Sequence, residues 1–179
     1  MELIRLDRLQ QVLQEYGEKA VEIYKYQVSV GGHNASRDLI NSVKAQVQQN
    51  GAAWEVSLNL LEYWKYLEGG SKGTRSSYPG AAYPAHFPPP WALERWIEVK
   101  PVIPQPDARG RIPTPKQLSY AIAHSIERKG TKPYPALATT IEELNAQYRD
   151  KIFSAFSADV GDYISKVIRL DGGKMMQNL

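Results

Sequence analysis

Near the end of the chain, Leu137, Ile141, Leu144, Tyr148, Ile152, Ala155, Val160, Tyr163 and Val167 recur mostly at steps of three and four, and this run limits the fold more than any other. Such spacing places the apolar side chains on one face of an α-helix. A straight helix from Ala136 to Ile168 measures about 50 Å, against a radius of gyration of about 16 Å for a globule of this length. The helix is therefore expected to bend near Gly161 or to project, and a projecting amphipathic helix needs a partner. A second run, Leu9, Val12, Leu13, Tyr16, Ala20, Ile23 and Tyr24, predicts a long first helix over Glu2 to Val28. Gly17 is its expected weak point, and the Gly31-Gly32 pair ends it as a hinge.

Between the two helices the period changes. After a short helical turn over Ser36 to Ser42, Val43, Ala45 and Val47 alternate with polar residues, as do Trp54, Val56 and Leu58, with Asn50-Gly51 between them. Alternation on both sides of an Asn-Gly pair predicts a β-hairpin. Leu60 to Leu67 carries three leucines and three aromatics and reads as a short helix or a third strand. From Gly69 to Pro90, glycines and prolines predominate without periodicity, which predicts a long loop of the kind that usually contacts something. Trp91 to Val99 is a short amphipathic helix started by Pro90, and prolines at 101, 104 and 106 end it. Asp107 to Arg111 is a basic tip. Thr114-Pro115-Lys116-Gln117 combines an N-cap, a first-turn proline and a residue able to bond back to the cap, so a helix begins there and stops at Gly130.

The expected fold is α+β: a β-hairpin or small antiparallel sheet packed against long N- and C-terminal helices. We read one domain over 1–179, divided into an N-terminal helix (1–32), the hairpin and aromatic segment (36–68), a Pro/Gly-rich loop with a short helix (69–115), a helical C-terminal part (116–170) and a tail (171–179). A chain of 179 residues, 42% hydrophobic and with a net charge of +3, buries a core without a disulfide or metal staple. It has no cysteine, which excludes thiolate chemistry and cysteine-ligated zinc or iron–sulfur sites. No apolar run approaches a membrane span, and the opening residues are too charged for a signal-peptide core, so synthesis in the cytosol is expected.

Residues able to carry chemistry are scattered. His33, His86 and His124 show no metal-ligand spacing, and His124 reads as a histidine at the edge of a core. Gly69 to Arg75 superficially suggests a phosphate-binding loop, but Lys72 is followed by Gly73 and not by the Ser or Thr that opens a helix in the P-loop. Glu62 and Glu68, or Glu142 and Glu143, read as solvated helix faces, not as paired catalytic carboxylates. No catalytic residue, cofactor or metal is assigned, and no enzyme is expected. Weak basic clusters at Lys72/Arg75, Arg109/Arg111 and Arg128/Lys129/Lys132 could meet phosphates without reading sequence. The eleven tyrosines and four tryptophans favour an interface, where a large apolar ring meets a wet edge.

Five segments in order carry a family resemblance: Leu39-Ile40-Asn41-Ser42-Val43 entering the hairpin; Tyr63-Trp64-Lys65-Tyr66-Leu67-Glu68-Gly69-Gly70; Phe87-Pro88-Pro89-Pro90 before Trp96-Ile97; Ala121-Ile122 to Ile126 with Gly130-Thr131; and Pro133-Tyr134-Pro135-Ala136-Leu137. Together they resemble the neck, or tail-completion, proteins of tailed bacteriophages, the head–tail joining family of minor tail components. The resemblance spans about Asp38 to Ile141. It departs at Tyr134-Pro135, where the family carries a Phe-Leu pair, and in the longer C-terminal helix. It implies a virion structural protein, assembled in the host cytoplasm into a homo-oligomeric ring of sixfold or twelvefold symmetry. Portal, adaptor or tail proteins would lie above and below, with DNA passing through the lumen without sequence-specific binding and no membrane involved. The expected ring contacts are Tyr63, Tyr66, Lys72, Arg75, Tyr78 and Tyr83, then Phe87, Trp91, Arg109 and Arg111, and on the last helix Tyr148 and Ile152. The alternative is a non-specific nucleic-acid-binding accessory protein.

Overall fold

The computed structural model describes residues 5–32, 38–51, 53–100, 102–106 and 109–176. In chain order the elements are α1 (Asp7–Val30), α2 (Asp38–Ser42), β1 (Lys44–Asn50), β2 (Ala53–Asn59), α3 (Trp64–Gly69), β3 (Ser71–Lys72), α4 (Pro90–Val99), α5 (Pro115–Lys129), β4 (Gly130–Thr131) and α6 (Ala136–Met176). The fold is α+β, with long terminal helices packed on a two-stranded antiparallel hairpin. Two compact units divide the chain: Met1–Ile23, Lys44–Asn59 and Thr140–Leu179 form the first, and Tyr24–Val43 with Leu60–Thr139 the second.

In the first unit, β1 and β2 pair from Lys44 opposite Asn59 to Asn50 opposite Ala53. The tight loop between them uses Gly51 at φ +63°, a conformation open to glycine at no steric cost. The alternation places Val47 opposite Val56 on one face. Against that face lies α1, and Gly17 is the point of closest approach. A Cβ at Gly17 would sit 3.0 Å from Ala45 Cβ and within 4 Å of Val56 and Val47. The glycine that the sequence marks as a weak point is therefore a packing residue, and α1 continues through it. Ala20, Ile23, Leu144 and Tyr148 form a buried cluster, with Val12, Tyr16, Leu58 and Ile152 packed around it. The Tyr16 and Tyr148 rings meet edge to face at 5.6 Å, a favoured aromatic geometry.

The start of α1 is held from a distance. A helix leaves its first four N–H groups without intrahelical acceptors. Here the Leu9 N–H donates to Asp159 Oδ2 of α6 at 3.0 Å, and Arg8 reaches Asp159 at 3.3 Å and Asp162 at 2.7 Å. The buried carboxylate also lies at the positive end of the α1 dipole. Neither a bend nor a break is required at Gly161: α6 is helical through it and has 41 residues, about 60 Å of helix.

The second unit decides between the two readings of Leu60 to Leu67 in favour of the short helix. The aromatic half of that segment becomes α3, and the hairpin sheet has two strands. The extra pairing occurs elsewhere, where β3 meets β4 with Ser71 opposite Thr131 and Lys72 opposite Gly130. Helix α5 begins as its sequence dictates: Thr114 accepts the Gln117 N–H while the Gln117 side chain accepts from the Thr114 N–H. Glu68, read as a surface charge, instead caps α6. Its two carboxylate oxygens accept the N–H groups of Leu137 and Ala138, each at 2.9 Å.

Tyr24 also belongs to this unit and is 0% exposed, with a hydroxyl that has no hydrogen-bond partner among the described residues. Burial, and then the nearby Glu68 and Tyr63, pushes its pKa well above the ordinary 10.0. The folded state thus favours the protonated phenol, so its contribution is fully present below pH 10 and is lost as pH rises beyond it. Urea titrations are expected to show stability falling above that pH, and Tyr24→Phe should flatten the fall. At neutral pH the variant should cost less than about 1 kcal/mol, since no hydrogen bond is removed. Superimposable alkaline profiles for the two chains would show that Tyr24 does not carry the effect.

Candidate interaction surfaces

The residues expected to contact neighbours fall in both units. Those from Tyr63 to Arg111 lie in the second, and Tyr148 and Ile152 in the first. Between α3 and α4 the chain has no regular element but the short β3, and its first half is stitched down. Lys72 N–H donates to Tyr83 O, Ala82 N–H to Gly69 O and Tyr83 N–H to Gly70 O, closing the loop on itself. Thr74 N–H donates to Glu127 O, and the Arg75 and Ser76 N–H groups donate to Arg128 O, tying the loop to the end of α5.

That stitching explains the glycines. A Cβ at Gly73 would lie 2.3 Å from Arg128 O, and one at Gly70 would lie 2.5 Å from Thr131 O. Both residues are glycine because two backbones meet there. Every N–H from Ser71 to Ser76 already has an acceptor within the chain. The resemblance to a phosphate-cradling loop thus has its cause in packing, and no N–H group is left to form an anion nest.

Aromatic rings line this unit in two ways. Tyr66 stacks on His86 at 4.5 Å and leans on Tyr83 at 5.2 Å, so these rings mainly hold the loop against α3. Phe87 rests against His124 at 5.0 Å and Tyr120 at 6.5 Å. His124 is not at a core edge: it is exposed on α5, 3.2 Å from Glu127 one turn on. Tyr63, Tyr78 and Phe87 keep open faces, and Trp91 at the start of α4 is 72% exposed. Ile103 and Ile112, which the sequence reading passed over, are exposed at 84% and 67%. Their signal was present in the sequence as isolated aliphatics among prolines, a setting that offers no regular face to bury.

Two basic clusters far apart in sequence converge. The pairing of Lys72 with Gly130 and the bond from Arg75 to Arg128 bring Lys72, Arg75, Arg128, Lys129 and Lys132 to one exposed corner of the second unit. Arg109 and Arg111 are exposed as well, while Asp107 and Ala108 of the same tip lie outside the described residues, as does His33. Of the carboxylates, Glu62 pairs with Lys65 at 2.8 Å, which lowers its pKa, and Glu143 accepts from Gln147. Among the described residues there is no group of three or more His, Asp or Glu side chains placed to hold a metal ion, and no helix long and apolar enough to cross a membrane.

In the first unit, Tyr148 and Ile152 turn inward. Tyr148 belongs to the core, and the half-buried Ile152 packs beside it. Further along α6, Phe153, Phe156, Ile164, Val167 and Ile168 are exposed. With Val160 between them, Phe153, Phe156, Ile164 and Val167 fall at steps of three and four, on a stripe displaced around the helix from the buried one. Comparison of the chain with protein-family models, with curated proteins and with solved structures finds no match.

Proposed function

We propose that the chain is a structural subunit of the neck or tail-completion ring of a tailed phage, joining head or portal to tail around the DNA channel. The observation that carries this reading is the exposed aromatic surface of the second unit, with Trp91, Tyr63, Tyr78 and Phe87 on segments anchored by backbone hydrogen bonds. Rigid, amphipathic rings bury much area at small entropic cost, which suits a contact repeated from subunit to subunit. A head-to-tail contact of this kind closes into a ring when its rotation divides the circle. The ordered motifs that resemble the neck family support the same reading.

The test is a copy count in nuclease-treated particles of the phage that encodes the chain, measured by quantitative mass spectrometry against the portal subunit. A fixed ratio equal to the portal's copy number, or to half of it, is expected. Absence from the particle rejects the proposal.

The converged basic corner favours a second reading, non-specific binding to a nucleic-acid backbone. Five exposed cations on one corner could neutralise several phosphates, and affinity would then fall steeply with salt. Retention of the isolated chain on duplex DNA at low salt, lost in Lys72→Glu/Arg128→Glu, would favour this reading over the ring.

A further inference from the structure

The exposed stripe on α6 has an order that its burial pattern does not explain. Phe153 and Phe156 precede Val160 by seven and four residues, and Ile164 and Val167 follow it by four and seven. The spacing is the same read in either direction. At 100° per residue, steps of four and seven both return to within about 40° of Val160, so these positions share one face. Val160 itself is half-buried and its four apolar companions are exposed.

We propose that this face binds a second copy of the chain, with the two α6 helices antiparallel about a twofold axis at Val160. A twofold contact must be self-complementary, since every residue meets its counterpart's partner twice. The palindrome meets that demand. Position 153 falls opposite 167, position 156 opposite 164, and 160 opposite itself, so each phenylalanine faces an aliphatic side chain. A parallel pairing in register would instead set phenylalanine against phenylalanine and aliphatic against aliphatic. Beside Val160, a Cβ added at Gly161 would meet no atom within 4 Å, so the middle of the face is open to a close neighbour. From position 153 to 167 the stripe is about 21 Å long, four turns of helix.

This contact closes on two copies and cannot propagate, so it describes the free chain and does not rest on the ring reading. The absence of cysteine from the chain makes the geometry directly testable. Under mild oxidation Val160→Cys should cross-link to itself, and a mixture of Phe153→Cys with Val167→Cys should cross-link across the pair. Phe153→Cys alone should not, because the two copies of position 153 would lie about 21 Å apart, far beyond disulfide reach. Sedimentation of the unmodified chain at about 100 µM should give twice its 20.2 kDa mass. Phe156→Asp should weaken association at least about 100-fold with its circular dichroism unchanged. A monomer at that concentration overturns the proposal. So does self-cross-linking of Phe153→Cys as fast as that of Val160→Cys, which would mean parallel or unregistered helices.

Discussion

A Gly130→Ala chain is expected to lose about 4 kcal/mol of stability or more, enough to unfold a marginal domain. Gly130 ends α5 at φ +76° and ψ −171°, a region that is essentially closed to residues with a Cβ. A Cβ there would also lie 2.0 Å from Ser71 O and 2.9 Å from Gly73 N, in the middle of the β3–β4 pairing. Relief would require parting these strands and loosening the loop bonded to Glu127 and Arg128. Gly110 provides the control. It has φ +75° but nothing within 4 Å of an added Cβ, so Gly110→Ala should cost only the left-handed strain, about 1 to 2 kcal/mol. Thermal melts of the two variants should separate clearly. If they coincide, close approach of the strands is not what demands glycine at 130.

The second large effect separates two neighbours on α6. Tyr148→Asp should abolish cooperative folding of the first unit, at a cost of about 3 to 5 kcal/mol, because it leaves a carboxylate among Ala20, Ile23, Leu144 and the Tyr16 ring. Ile152→Asp should follow it with a smaller loss, since Ile152 lies at the margin of that cluster. Phe153→Asp, one residue further on and 71% exposed, should leave the melting temperature of the dilute, monomeric chain within about 2 °C of the parent. Equal destabilisation by Tyr148→Asp and Phe153→Asp would mean that the buried face of α6 has been assigned wrongly.

These contrasts show how far local reasoning reaches. The period of three and four residues announces both long helices, and the alternation around Asn50-Gly51 announces the hairpin, because each signal needs only residues within a turn or two of one another. The α5 start is complete within Thr114 to Gln117 for the same reason. The candidate contact surface was only partly legible. Trp91, Tyr63 and Tyr78 are exposed, whereas Tyr148 lies in the core. The apolar residues of α6 form two stripes on one helix, and periodicity alone does not say which of them the core covers.

By itself, then, the sequence determined the α+β composition, the two long helices, the hairpin and the ends of α5, since backbone preference, capping and turn chemistry act over a few residues. Tertiary structure decided the rest. Glu68 became the cap of α6 from 69 residues away and Asp159 the cap of α1 from 150 residues away. Gly17, Gly70 and Gly73 acquired their purpose only when a second backbone or side chain came against them. A carboxylate and a helix N-terminus, or a glycine and a passing strand, carry no mark of each other in one dimension. Their interaction depends on a distance that only folding sets.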